Sequence, residues 1–254
     1  MALAVDRYGS DKVLGIHQHT GFDHPLTYEH MDYMRGRYGV EIQDIKNQTY
    51  ATVPEVMIGE KIIPSRLARV CTDRLKTTTF FKWLQSRPMA EVDDMLILLG
   101  MRAAESNNRR ERYKDNTDED LYTMLEVNQN CPKDVGHVKV MLPIVEWTTP
   151  TVFEFLRKRG DKINPLYAKG FSRVGCFPCV LAGKQTMRLV ARDPHGRENL
   201  RSLQQAIEIV RAGNPRALFD QDIPSLLANK EADPFGIFEM EEEEQAGGCS
   251  WCNL

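Results

Sequence analysis

The chain has 254 residues, 42% hydrophobic and 27% charged, the balance of a globular protein with room for one sizeable core and a tail. Its formal charge of −3 conceals a mildly basic body, because five acidic residues, Glu239 and Glu241 to Glu244, crowd near the end; such a body suits an anionic small molecule and only weakly a nucleic acid. No stretch approaches the roughly 20 apolar residues of a membrane span and no signal-peptide pattern opens the chain, so a cytoplasmic protein with no membrane partner is expected. Thiols stay reduced in that compartment, so the six cysteines (Cys71, Cys131, Cys176, Cys179, Cys249, Cys252) read as metal, cluster or redox groups rather than disulfides.

Met1 to Tyr8 opens as the interior of a helix without a cap. Val13 to His17 is a short apolar run, a strand that ends in the turn-rich Thr20-Gly21-Phe22 loop. A helix over about Leu26 to Tyr38 and a strand near Val40 to Ile45 follow. Strand, helix, strand at this spacing predicts a parallel α/β sheet, in which ligands bind beyond the carboxyl ends of the strands. Arg66 to Leu84 reads as mostly helical, and positions 69, 73, 76 and 80 fall on one face, so Arg69 and Lys76 are expected to point together at an anion. Taken alone, a solvated basic face explains that spacing equally well.

Met95 to Leu99 is five apolar residues in a row, as in a strand buried on both faces. Gly100 to Arg109 follows with Arg102, Glu105, Ser106 and Arg109, a glycine and polar groups suited to phosphate or sulfate at the sheet edge. Residues 110–135 are polar and without clear period, which predicts an excursion. Val138 to Val145 resumes as a strand, and Thr149 as cap with Pro150 at the first helical position starts a helix to about Arg159. Asn164-Pro165 marks a turn, then Gly170, Arg173 and Gly175 lead into Cys176-Phe177-Pro178-Cys179. A Cys-x-x-Cys by itself fits a zinc half-site, a cluster half-site or a redox pair. Lys184 to Arg192, Glu198 to Ala212 and Ile223 to Lys230 read as helices. The end is acidic, then Gly247-Gly248, then Cys249-Ser250-Trp251-Cys252, a tail expected to be flexible and solvent-accessible.

Taken in order, these motifs resemble the phosphoadenosine phosphosulfate (PAPS) reductase family, within the adenine-nucleotide α-hydrolase-like group that includes ATP pyrophosphatases. The matching residues are Thr20-Gly21-Phe22, Arg69-x-Cys71 with Lys76, and Gly100-x-Arg102-x-x-Glu105-Ser106-x-x-Arg109. Leu142-Pro143-Ile144 before Trp147, and Asn164-Pro165-Leu166-Tyr167 through Cys176-x-x-Cys179, complete the set over roughly residues 1 to 182. The resemblance implies a three-layer Rossmann-like parallel sheet with helices on both faces. Residues 183–238 then form a helical C-terminal extension and 239–254 the tail. It implies an adenine nucleotide (PAPS, adenylylsulfate or ATP) as substrate, held by Thr20, Gly21, Phe22, Arg69, Lys76, Gly100, Arg102, Glu105, Ser106, Arg109 and Arg173.

The chain also departs from the family pattern. Members open with a Ser-Gly-Gly-Lys-Asp-Ser phosphate loop, whereas Met1 to Val5 resembles the helix that follows that loop. The first strand and loop are therefore expected upstream or lost, and weak nucleotide binding is expected of this form. His19 stands where the family often has Asp, and Cys71 is followed by Thr72 where cluster-binding members carry adjacent cysteines.

Three functions are compatible with these motifs. The first is a reductase in which Cys249 and Cys252 supply the attacking thiol and its resolving partner, with a thioredoxin-like protein as reductant. The second is a sulfurtransferase of the ATP-pyrophosphatase type, acting on a nucleic acid or small molecule through a [4Fe–4S] cluster. Cys71, Cys176 and Cys179, with Cys131 as fourth ligand, would hold that cluster or a zinc ion. The third is a degenerate nucleotide-binding module without activity. The order of the motifs favours the reductase.

Overall fold

The computed structural model describes residues 1–213, 219 and 222–228. The chain opens with α1 (Ala2–Tyr8), β1 (Leu14–Gln18), α2 (Pro25–Tyr38), β2 (Glu41–Ile45) and α3 (Val53–Glu60). A helical rod follows: α4 (Val70–Thr72), a π-helical stretch Asp73–Thr78, and α5 (Thr79–Gln85). Then come α6 (Met89–Asp93), β3 (Leu96–Leu98), a 3-10 turn Ala103–Glu105, α7 (Asn107–Arg112), β4 (Leu121–Thr123), α8 (Met124–Val127) and β5 (Lys139–Met141). The remainder is α9 (Thr149–Lys158), α10 (Pro165–Ala168), α11 (Lys184–Arg192), α12 (Pro194–Gly213) and α13 (Ile223–Ala228).

Parallel pairing is present in both halves of this mixed α/β fold. β1 runs parallel to β2, with His17 opposite Asp44, and β3 runs parallel to β5. The crossover α2 that makes the first pair parallel is set by local chemistry. The His24 ring accepts from the Leu26 amide at its start, Pro25 occupies its first turn, and Gly39 ends it at φ 63°.

Several boundaries differ from the sequence expectation. Residues 110–135 are not a plain excursion, since β4 adds antiparallel to β5 and α8 follows under a Thr123–Glu126 capping box. β3 is only half-buried along its length, because among the described residues its one strand neighbour is β5. The cap of α9 is Thr148, whose hydroxyl accepts from the Thr151 amide, not Thr149. The helix expected over Ile223 to Lys230 is described over Ile223–Ala228, and positions 229 and 230 lie outside the described residues. Arg69 sits before α4 in a non-helical conformation, and the π-helical stretch that follows breaks the 3.6-residue spacing on which a shared face with Lys76 was argued.

Two main cores result. The first joins Phe22 and α3 (Val56, Met57) to Leu75, Leu166, Phe177 and the C-terminal helices through Met187, Leu200, Leu203 and Ile207. The second gathers Phe80, Leu84, Met124, Cys131, Val140 and Leu142 beneath the β3–β5–β4 sheet, with Ile16 and Ile45 of the first sheet packed against it. Among the described residues no helix is long and apolar enough to cross a membrane.

A buried carboxylate ties three helices together. Asp161 accepts from Arg37 Nε at 2.8 Å and Tyr38 OH at 2.7 Å, both at the end of α2, and from Arg159 Nε at 3.2 Å. Arg159 reaches on to Asp6 of α1 at 2.6 and 3.1 Å. Burial pushes the Asp161 carboxyl up, but the hydrogen bonds from Tyr38, Arg37 and Arg159 outweigh it and hold it below its ordinary value of 3.8. A carboxylate held low stabilises the fold above the ordinary value and loses that effect as pH falls through the lower, folded one. Asp161→Asn should therefore lower the melting temperature by roughly 5 °C at pH 7. The gap to the parent should close in scans run below about pH 4; a constant gap would mean the charge is not what matters.

Candidate nucleotide and thiol site

Beyond the carboxyl end of β1 the chain turns through Thr20-Gly21-Phe22-Asp23. Thr20 uses both its amide and its hydroxyl to reach Asp23 Oδ2, at 3.1 and 3.0 Å, and its hydroxyl oxygen accepts from the Phe22 amide at 3.3 Å. Gly21 makes this turn possible. Its φ is +66°, and a Cβ there would lie 2.6 Å from the Ala51 carbonyl oxygen and 2.6 Å from Thr52 Cγ2. The loop is closed from the far end of the sequence. Asp23 forms an antiparallel bridge with Cys176, the Phe177 amide donates to the Phe22 carbonyl, and the Cys176 thiol donates to Thr20 Oγ1 at 3.5 Å.

The Cys176 thiol thus begins a hydrogen-bonded chain that passes through the Thr20 hydroxyl to the Asp23 carboxylate. Burial pushes this thiol up to about 11, with Lys76 opposing and Asp23 and Cys179 adding to the rise. Lys76, expected from the sequence on an anion wall, thus lies within electrostatic reach of Cys176.

A second set of cations lies beyond β3. Arg102 donates to Thr149 Oγ1 at 3.0 Å and to Glu105 Oε1 through Nε at 3.3 Å. Glu105 turns its other oxygen to Arg109. Arg109 is 1% exposed, walled in beneath this loop, so its charge is met from inside the protein. Ser106 caps α7, its Oγ accepting from the Arg109 amide at 3.2 Å. Burial first, and then the like charge of Arg173, lower the Arg102 pKa, while Tyr167 opposes. Burial raises the Tyr167 phenol, and Arg102 and Arg173 pull it back. The charges of Arg102 and Arg173 thus both act on Tyr167, 65 and six positions from it in sequence respectively.

Residues 1–182 match the family model described as the phosphoadenosine phosphosulfate reductase domain. The chain belongs to the PAPS reductase domain family. A 37.8 kDa protein of Escherichia phage 186, itself uncharacterised, is 33% identical over 132 residues, covering 52% of this chain and 36% of the phage protein. An uncharacterised protein of Methanocaldococcus jannaschii is 27% identical over 68% of this chain and 32% of its own length. Adenosine 5′-phosphosulfate reductase of Burkholderia cepacia is 26% identical over 64% of this chain and 58% of that enzyme. The chain thus spans about a third of the first two proteins and somewhat over half of the third. A solved PAPS reductase from Candida auris, in a phosphate complex, gives a TM-score of 0.42 at 13% identity, over 65% of this chain and 69% of that one.

The other expected site residues of this PAPS reductase domain are dispersed. Gly100 is exposed at the end of β3, and Arg69 bonds its Nε to the Arg66 carbonyl at 3.3 Å. Cys71 and Cys176 both border the first core, but Cys131 is buried in the second, its thiol donating to the Pro132 carbonyl at 3.4 Å. Burial, helped by Asp134, pushes the Cys131 thiol up to about 11. Among the described residues no three His, Cys, Asp or Glu side chains come together as metal ligands. The expected four-cysteine set for a cluster or zinc therefore does not fit the described residues, with Cys131 in the wrong core. Cys249 and Cys252, expected as the redox pair, lie outside the described residues.

Sequence reasoning missed a polar group beside the Thr20 loop. His17 Nδ1 meets Asp44 Oδ1 at 2.7 Å, and Tyr28 OH meets His19 Nδ1 at 2.7 Å. Burial, then Asp23 and Asp44, raise the Tyr28 phenol. The His-x-His spacing at the end of β1 was the available signal; the Asp44 partner depends on strand register.

Proposed function

We propose that this protein binds an adenylylated sulfate, PAPS or adenylylsulfate, and reduces its sulfur with thiols. The observation that carries this reading is the largely buried Arg102, bonded to Glu105 and Thr149 beyond the end of β3, with the like charge of Arg173 acting on it. Two guanidinium groups within electrostatic reach of each other, one of them largely buried, gain from a bound polyanion, which relieves their repulsion. The family assignment supplies the class of ligand, an adenosine phosphate carrying sulfate.

In the proposed chemistry the thiolate of Cys249 attacks the substrate sulfur. The bond from that sulfur to the phosphate oxygen breaks, and the adenosine phosphate leaves with the electron pair. The thiolate of Cys252 then attacks the Cys249 sulfur. A disulfide forms, sulfite leaves with the electron pair, and an external dithiol of the thioredoxin kind reduces the disulfide. The cluster-dependent sulfur-transfer alternative has no matching ligand set among the described residues.

Titration calorimetry with adenosine 3′,5′-bisphosphate, AMP and ATP, together with sulfite release from PAPS and from adenylylsulfate in the presence of a dithiol, tests this. Binding of one sulfonucleotide product and dithiol-dependent sulfite are expected. Neither binding nor sulfite, from a protein with a cooperative melt, would overturn the proposal.

A further inference from the structure

The family match ends at residue 182, yet the hydrogen bonds that hold the Thr20 loop against Cys176 continue into residues 193–199. Asn199 Nδ2 donates to the Phe177 carbonyl at 2.6 Å. His195 Nε2 lies 3.2 Å from the Asp23 carbonyl and 3.2 Å from Asn199 Nδ2. A carbonyl can only accept, so the Nε2 proton is assigned to the contact with Asp23. Asp193 Oδ2 takes His24 Nε2 at 3.3 Å and Lys169 Nζ at 3.6 Å. The other nitrogen of His24 accepts from the Leu26 amide, so its Nε2 carries the proton and donates to Asp193.

The bonds from Asn199 and His195 fall on the two strands of one seam, Asp23 on one side and Phe177 on the other, while Asp193 anchors His24 beside it. The groups are buried: His24 is 5% exposed, Asp23 8% and Asn199 8%. Apolar side chains would fill this space without the desolvation penalty. The rings of His24 and Phe177 meet edge to face at 4.6 Å, and His195 stacks on Phe177 at 6.5 Å. Gly196 admits the close approach of α12, since a Cβ there would stand 2.2 Å from the Val190 carbonyl oxygen and 3.0 Å from Phe177 Cε1.

We infer that the α11–α12 junction is a positioning element for the site: His195 and Asn199 fix the backbone on either side of the Thr20–Cys176 contact, and Asp193 fixes His24 beside it. The C-terminal helices then set the geometry at Cys176. This inference rests on reading the Thr20 loop and Cys176 as one site, as above. Its test involves no nucleotide, so its failure is separable from failure of the nucleotide reading.

The test is alkylation of the native full-length protein by iodoacetamide, followed cysteine by cysteine by mass spectrometry. Cys131, in the other core, reports general loosening. Asn199→Asp keeps the shape and removes the donor to Phe177, and should speed modification of Cys176 by about tenfold while Cys131 changes by less than about twofold. His195→Phe keeps the ring on Phe177 and removes the donor to Asp23; it should act in the same direction and decides the matter if Asn199→Asp does not fold. An unchanged Cys176 rate, or equal acceleration at Cys131, would overturn the inference and leave these residues as ordinary packing.

Discussion

Arg102→Ala should weaken binding of adenosine 3′,5′-bisphosphate about 10- to 100-fold at low salt, the loss of one charge-assisted contact of roughly 1.5–3 kcal/mol. The fold should tolerate the change, because Glu105 keeps Arg109 as its partner and Thr149 is exposed to water. Arg102→Lys should recover only part of the affinity, since an ammonium carries the charge without the planar fork. Calorimetry on the three proteins checks the order parent, Lys, Ala. Equal affinities would remove Arg102 from the site and leave its pairing with Glu105 as structural.

The largest loss of stability is expected from Gly21→Ala. A residue with a Cβ adopts left-handed backbone at a cost of about 1–2 kcal/mol. Crowding against the backbone at Ala51 and the Thr52 methyl adds about 1–3 kcal/mol. Together these are a large fraction of the 5–15 kcal/mol typical of a whole domain. Gly36→Ala is the matched control. It lies within α2 with nothing within 4 Å of its Cβ position, so alanine there should stabilise by up to about 1 kcal/mol. Denaturant midpoints moving in opposite directions for the two alanines would confirm both readings; a silent Gly21→Ala would contradict the turn geometry.

Sequence carried the local part of this structure well and the non-local part poorly. β1, α2 and β2 were legible because an apolar run, a turn-rich loop and the strand–helix–strand spacing are local features of the sequence. α11 was read from the sequence as a helix over Lys184 to Arg192, and that is its observed extent. β4 was not, because Leu121-Tyr122-Thr123 is a strand only through its partner β5. The shared face of Arg69 and Lys76 failed for a related reason, since π-helical winding changes the spacing without leaving a mark in composition. Of the site, the Arg102–Glu105–Arg109 group and the Thr20 turn could be picked out as motifs. That Cys176 would meet Thr20, and Cys131 would not meet Cys176, depended on which core each thiol entered.

The contacts that assemble the thiol half of the site join residues 156, 169 and 172 positions apart. The β4–β5 ladder, by contrast, pairs Thr123 with Lys139. Closing a loop about ten times longer costs about 2 kcal/mol more in chain entropy, so the short ladder is the easier structure to form first. On a ribosome adding about 5–20 residues per second, the Thr20 turn emerges on the order of ten seconds or more before Cys176 exists. The His195 and Asn199 that brace the pair follow later still. A nascent chain therefore carries the Thr20 turn and the second core well before it can hold Cys176 against Thr20.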